Sequence, residues 1–368
     1  MKGNFVICHN EIVIEGSSIG NFTSMETEMT KDTITGKATI ELPLYTIAAY
    51  NNGAPPDDDL PLTRKSRVGV DMSKLKVGAM IEVYCWYTSP DLNATFDTVL
   101  TFKGYIRQVI GGFPTVINCE DLSFPLRFGL VEKTWSNEPL LRDVINALLP
   151  ISEKAFTEYR QRQGFILDWP KLTITESQIV GLDNPHGQEA WKDISPYDAL
   201  QNLVNRDGIY VYVDDKAELH AGSMISEDNK TVNLSTDLNV VDCELVTTDS
   251  MFSNINVTLN ARDKLGQIIT AHYGSPDGTP IPTRTMPINT QKGLNVLAKN
   301  LYNKLVGNDN NRSITTLLYP KVNMFDYINF NHTLFPELSS GYIAMGLRNS
   351  YNDKGYRQVI SVTNRVFA

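Results

Sequence analysis

Cysteine is scarce in this 368-residue chain, with residues only at 8, 85, 119 and 243. No two form a CxxC pair, which excludes zinc ribbons and redox dithiols. They fall mostly inside apolar runs, which favours free buried thiols over a disulfide. Histidine is almost as rare. The five residues at 9, 186, 220, 272 and 332 share no HxxxH, HExxH or HxH spacing and read as isolated surface or turn residues. Adjacent strand positions such as Cys8 and His9 point to opposite faces, so no metal site is expected. Neither a GxGxxG nor a GxxxxGK[ST] loop occurs, and no cofactor is expected. No apolar run approaches the ~18 residues that span a bilayer. The N-terminus, MKGNFVICHNEIVIEG, is neither a signal nor a transit peptide. The expectation is a chain made and folded in a cytoplasm, without a membrane anchor. Basic residues are also short, 33 against 42 acidic ones, for a net charge of −9. That leaves no basic stripe for neutralising phosphates and argues against nucleic-acid recognition.

What the chain has is strand pattern. Its 42% hydrophobic content supports real cores, and its length supports two or three domains. From residue 4 to about 128 the period is two: FVICH, EIVIEG, KATIELPLY, MIEVYCWYT, TVLTFKGYIRQVI and TVINCEDLS all alternate. This region, 1–129, is expected to be all β. Within it NNGAPPDDDLPLTRKSR, residues 51–67, reads as a long exposed loop. Asp57, Asp58 and Asp59 lack the alternating spacing of a calcium loop. Followed by Arg64, Lys65 and Arg67, they suit contact with a neighbouring subunit.

Residues 130–232 differ. SNEPLLRDVINALLP carries a cap at Ser136 or Asn137 and Pro139 near the first turn. Its apolar face runs over Leu140, Leu141, Val144, Ile145, Leu148 and Leu149, and Pro150 is expected to stop it. ISPYDALQNLVNRDG repeats the logic, with Ser195 as cap, Pro196 at the start and Gly208 at the end. A hairpin follows, IYVYVDDKAELHAG, turning at Asp214-Asp215-Lys216. Together these predict a small α+β domain. Residues 233–368 return to strands, interrupted by one helix over 291–307 with Leu294, Leu297, Ala298, Leu301 and Leu305 on one stripe.

The two β regions match in order. TIELPLY, MIEVY, FKGYIRQVI and TVINCED correspond to TTLLYPKV, DYINF, SGYIAMGL and QVISVTN. Four consecutive matching segments point to a duplication. Gly104-Tyr105 and Gly341-Tyr342 open the most similar pair.

Catalytic patterns are weak by comparison. GSSIG, residues 16–20, fits G-x-S-x-G but lacks the following helix, so a hairpin turn explains it better. Glu120-Asp121 reads as a solvated strand end. The tyrosines and phenylalanines fall in strand runs and suit cross-strand packing. A carbohydrate-active or carbohydrate-binding β protein, using those acids and aromatic stacking, is the alternative function class.

The segments LKVGAMIEVYCWY, LTFKGYIRQVI, INCEDLSFPLRFG, SPYDALQNLVNRDGIYVYVDDKAELHAG and the closing GYIAMGLRNSYNDKGYRQVISVTNR run in a familiar order. Together they resemble the baseplate hub family of contractile tails: the D-type tail proteins of phages and the hub portion of VgrG. The resemblance implies two related β-barrel-like tube domains flanking a small α+β domain, and no enzymatic activity. It further implies a homotrimer, a pseudo-sixfold ring that adapts a tail tube or baseplate to a spike protein. The expected location is a virion tail or baseplate, or the equivalent part of an injection machine. Gly104, Tyr105, Gly341, Tyr342, Asp57, Asp58, Asp59 and Arg64 are then candidates for subunit or partner contacts. Since the chain closes at Ala368, the spike is expected to be a separate chain.

Overall fold

A computed structural model describes residues 7–43, 45–47, 67–69, 74–89, 94–135, 138–186, 189–245, 254–306 and 312–364. The fold is mainly β with an α+β insert. The first β region contributes β1 (Ile7–Ile14), β2 (Ser17–Gly20), β3 (Ser24–Thr30) and β4 (Lys37–Leu42). After a gap in the described residues come β5 (Met80–Ser89), β6 (Val99–Ile110) and β7 (Thr115–Asp121). The insert holds β8 (Val131–Trp135), α1 (Leu141–Gln163), β9 (Thr173–Thr175) and β10 (Glu189–Ile194). It continues with α2 (Pro196–Asp207) and the hairpin β11 (Tyr210–Val213) and β12 (Glu218–Gly222). The second β region has β13 (Thr231–Ser235), β14 (Val240–Glu244), β15 (Ile255–Arg262) and β16 (Ile268–Gly274). It ends with α3 (Gln291–Val306), β17 (Ser313–Thr316), β18 (Tyr327–Asn331), β19 (Ser340–Asn352) and β20 (Gly355–Asn364).

Both β regions share one 14-stranded sheet, which is open among the described residues. Its order is β14-β17-β20-β19-β3-β4-β7-β6-β5-β1-β2, with β18 beside β19, β13 beside β18 and the two-residue strand 94–95 beside β5. Read from each end, the halves follow one plan. In the first, β3-β4-β7-β6-β5-β1 are neighbours; in the second, β14-β17-β20-β19-β18-β13. The corresponding strands occur in the same chain order. One difference is that β1 runs antiparallel to β5 whereas β13 runs parallel to β18.

The alternation seen in the sequence becomes two separate cores. Ile12, Ile40, Ile81, Val83, Ile106 and Ile117 fill the first half. Val232, Ile314, Ile328, Phe330, Tyr342, Ala344 and Ile360 fill the second. The expected boundary after 232 falls within β13, whose Val232 and Leu234 both belong to the second core. Strands β15 and β16 pack with α3 in a smaller core of their own, where Leu294, Leu297, Ala298 and Leu301 supply the helical stripe.

The insert is clamped to the first half by a buried cation. Arg160 of α1 makes two bonds of 3.1 Å to the Glu15 carboxylate and donates to the Gly78 carbonyl at 2.7 Å. Below it, Tyr105 of β6 meets Phe124 and Phe156 at 5.8 and 5.1 Å between ring centres. The cap of α2 is as expected: Ser195 Oγ accepts from Asp198 N at 3.1 Å, and Gly208 ends the helix in the left-handed region at φ 70°.

Pro150 does not stop α1. The helix begins at Leu141, after Leu140 rather than a polar cap, and runs through the proline to Gln163. Ser136 and Asn137 lie outside the described residues. The buried stripe continues at four-residue spacing through Leu148, Ser152, Phe156 and Arg160, while Pro150 sits on the exposed side. Packing along that stripe outweighs the lost bond to the Asn146 carbonyl. Replacing the proline should therefore restore a helical hydrogen bond. Pro150→Ala is expected to raise unfolding stability by about 1–3 kcal/mol, measured by guanidinium unfolding. An unchanged or lower midpoint would show that the helix is already adapted to the break.

Candidate functional site

The duplicated strand pair is where the sequence placed its strongest functional signal. In β6, Ile106 N donates to the Ala79 carbonyl at 2.9 Å and Gly78 N donates to the Ile106 carbonyl at 2.7 Å. In β19, Ala344 N donates to the Asp326 carbonyl at 3.0 Å and Phe325 N donates to the Ala344 carbonyl at 2.9 Å. Gly78 and Phe325 both have positive φ, 85° and 62°. One residue further on, each strand bulges: Arg107 and Met345 are the residues skipped in the pairing with β7 and β20.

These features align Ile106 with Ala344, Tyr105 with Ile343 and Gly104 with Tyr342. The two GYI tripeptides are therefore offset by one residue. In a strand, such an offset reverses the face. Tyr105 and Ile343 point toward the insert, against Phe156 in one case and among Tyr210 and Tyr212 in the other. Tyr342 points into the second β core. Both tyrosines are thus core residues of their own chain, at 0% and 4% exposure, and their side chains offer no contact surface. Gly104 is also enclosed, since a Cβ there would lie 2.1 Å from the Glu120 carbonyl oxygen. Gly341 is half-buried. Asp57, Asp58, Asp59 and Arg64 lie outside the described residues.

What the strands do offer is an asymmetry of edges. The first half of β19 pairs with β18 (Tyr327↔Ile343 to Phe330↔Ser340). Past the bulge, the same edge pairs with β3, from Gly346↔Thr30 to Tyr351↔Met25. The junction carries an Arg348–Glu26 ion pair and a 2.9 Å bond from Asn349 Nδ2 to Thr27 Oγ1. Strand β6 is built alike: its first part pairs with β5 up to Tyr105. Past its own bulge, the corresponding edge from Arg107 to Ile110 has no neighbour among the described residues. Ile110 and Phe113 at its end are 46% and 82% exposed. Strand β14, the counterpart of β3, pairs only with β17 among the described residues, and Val241 at its bulge is exposed.

The acids of the alternative reading are not a solvated strand end. Glu120 is 1% exposed and held by Arg107, at 2.5 Å, and by Arg127. Asp121 accepts from Gly36 N at 2.5 Å, Ser123 Oγ at 2.5 Å and Ser123 N at 3.0 Å. These bonds tie β7 to the chain entering β4 and to the turn that follows β7. Burial pushes the Asp121 carboxyl up to about 7 against these hydrogen bonds.

The histidines also depart from expectation. His186 is buried with Nδ1 2.8 Å from Asp207, and His220 is buried against Tyr212, with ring centres 4.6 Å apart. His332 is buried too, while His9 stacks on Trp86 at 5.4 Å. Short-range spacing carried no sign of either buried pair, because Asp207 and Tyr212 come from other elements. The four thiols are free, as expected, with Cys85 and Cys119 buried. Of GSSIG, Gly16 lies in the hairpin turn after β1 and Ser17–Gly20 form β2, where Ser18 donates to Glu11 at 2.6 Å.

Asp121 gives a signed pH dependence. Its folded pKa lies above the unfolded value near 4, so its contribution is full below about pH 4 and is lost as pH rises through about 7. Over that window stability should fall by up to about 1.4 kcal/mol per pH unit. Urea unfolding of Asp121→Asn, which cannot ionise, should lack that slope. A variant keeping the full slope would assign it to other groups.

No family model and no curated protein matches the sequence. Solved structures do match the fold. The tail protein from Neisseria meningitidis superposes with a TM-score of 0.62 at 12% identity, covering 96% of each chain. The 43 kDa tail protein of prophage MuSo2 from Shewanella oneidensis gives 0.59 at 13% identity, covering 97% of this chain and 98% of that one. Prophage tail protein gp18 from Listeria monocytogenes gives 0.52 at 11%, covering 97% and 95%. With near-complete coverage in both directions, this chain has the fold of these tail proteins.

Proposed function

We propose that this chain is a non-enzymatic hub of a phage-like tail baseplate or contractile injection machine, made in the bacterial cytoplasm and built as a homotrimeric ring. The observation that carries it is the β19–β3 junction together with its unmet counterparts. Inside one chain, the second half reaches past its bulge to pair with β3 of the first half. The equivalent edge of β6 and the outer edge of β14 are unpartnered among the described residues. If β6 of one chain takes β14 of the next, the in-chain junction repeats between chains. Head-to-tail contacts of this kind form a closed ring when the rotation closes. With two halves per chain and three chains, six similar junctions alternate within and between subunits. A ring of that form presents quasi-sixfold symmetry to a tail tube or baseplate and true threefold symmetry to a spike protein. It also covers two strand edges that would otherwise invite aggregation.

On this reading the chain divides into a first β half up to 129, an insert, and a second β half from β13 onward. Glu120 and Asp121 then serve as internal braces. Their carboxylates are consumed by Arg107, Arg127, Gly36 and Ser123, which favours structure over glycan chemistry.

Light scattering on the full-length chain tests the proposal. The wild type is expected as a trimer, and Ile110→Asp, on the free half of β6, as a folded monomer with a lower, concentration-independent unfolding midpoint. A wild-type monomer at all concentrations, or a trimer indifferent to Ile110→Asp, would reject this interface.

A further inference from the structure

The β11–β12 hairpin places three potential metal ligands on one face. Tyr212 lies opposite His220 in the register, and Asp214 continues the same strand face past Val213. On the returning strand Glu218 and His220 are two apart, so all three side chains project to the same side. The opposite side, with Val211, Val213 and Leu219, belongs to the core of the insert. One ligand atom each from Asp214, Glu218 and His220 lies within 4.8 Å of the others.

Two carboxylates at a hairpin tip are common and would mean little alone. The imidazole changes the case. His220 is 1% exposed; its Nδ1 has no hydrogen-bond partner, and its Nε2 has only a long, poorly aligned contact with Asp214. Buried polar groups in folded proteins are nearly always satisfied, so a buried imidazole with only one long polar contact points to a missing partner. Its Nε2 faces Asp214 Oδ2 at 3.4 Å. Two ligands bound to a tetrahedral zinc ion at ~2.0–2.2 Å stand roughly 3.3–3.6 Å apart, so the observed separation suits a shared ion.

The surroundings are also those of a built site. Asp214 Oδ1 is occupied, accepting from Glu218 N at 2.8 Å and Lys216 N at 2.9 Å, which orients Oδ2 toward the histidine. Tyr212 stacks on the imidazole at 11° between planes and fixes the ring. Such supporting contacts are what orient first ligands in metal sites. Asp214 and Tyr212 also line a cavity of about 440 Å³ between the hairpin and the two halves of the sheet, so one of the three ligands borders open space.

We infer that Asp214, Glu218 and His220 form a binding site for a divalent first-row transition ion, of which Zn²⁺ is the probe of choice. One imidazole and two carboxylates suit zinc better than calcium or magnesium, which take all-oxygen sets. Glu218 closes the set by a side-chain rotation. The bound ion pins the hairpin tip where insert and sheet meet, a role independent of the ring reading.

The test is isothermal titration of Zn²⁺ into tag-free, chelator-stripped full-length protein. It is paired with thermal unfolding and with the visible spectrum after Co²⁺ loading. The wild type is expected to bind one equivalent, unfold at a higher temperature with Zn²⁺, and show the intense absorption of low-coordinate cobalt. His220→Ala and the conservative Glu218→Gln should each weaken binding by at least about tenfold and lose the cobalt spectrum. Glu218→Gln retains the backbone contacts of the turn, so it remains informative if His220→Ala fails to fold. No zinc binding by the wild type, or equal binding by a folded Glu218→Gln, would overturn the site.

Discussion

The pairing of β19 with β3 makes one molecule of two halves. Without it the chain would be two open sheets, each exposing a bulged strand edge and a terminal strand edge. Nature tolerates such edges poorly, because every unpaired N–H and C=O along them can recruit another strand. The in-chain junction satisfies one such pair through six residue pairs and an Arg348–Glu26 contact. Its counterpart edges, on β6 and β14, have no partner strand among the described residues. The proposed ring follows from treating those two edges by the rule the chain already applies to itself.

Strand parity explains why that geometry could be read only in part from sequence. The order of segments in the duplication was legible, because alternation survives wherever one face is buried. The register was not. GYI at 104–106 and at 341–343 invites a letter-for-letter alignment, yet the bulges at Arg107 and Met345 and the positive φ at Gly78 and Phe325 set the true equivalence one residue away. Parity then sends Tyr105 toward the insert and Tyr342 into the β core. A phenylalanine at positive φ gives no sequence signal comparable to glycine, so this half of the motif was hidden.

The insert shows the same division. Ser195, Pro196 and Gly208 announce α2 because capping is local chemistry, and the turn at Asp214-Asp215-Lys216 is equally local. Pro150 misled because the stripe of Leu148, Ser152, Phe156 and Arg160 earns its stability from partners distant in sequence. Glu120 and Asp121 looked solvated for the matching reason: Arg127 lies close in sequence, but the amide of Gly36 that caps Asp121 comes from another strand's entry. His220 gave no motif, since its neighbours Asp214 and Glu218 become a cluster only when the hairpin closes.

The central claim is that one junction is used six times, three within chains and three between them. End-on electron cryo-microscopy averages of the assembled full-length protein address it most directly. A closed ring of six similar lobes is expected, with strict symmetry threefold and β-sheet continuous across every boundary. Twofold particles, open filaments, or rings whose subunits meet away from β6 and β14 would contradict it.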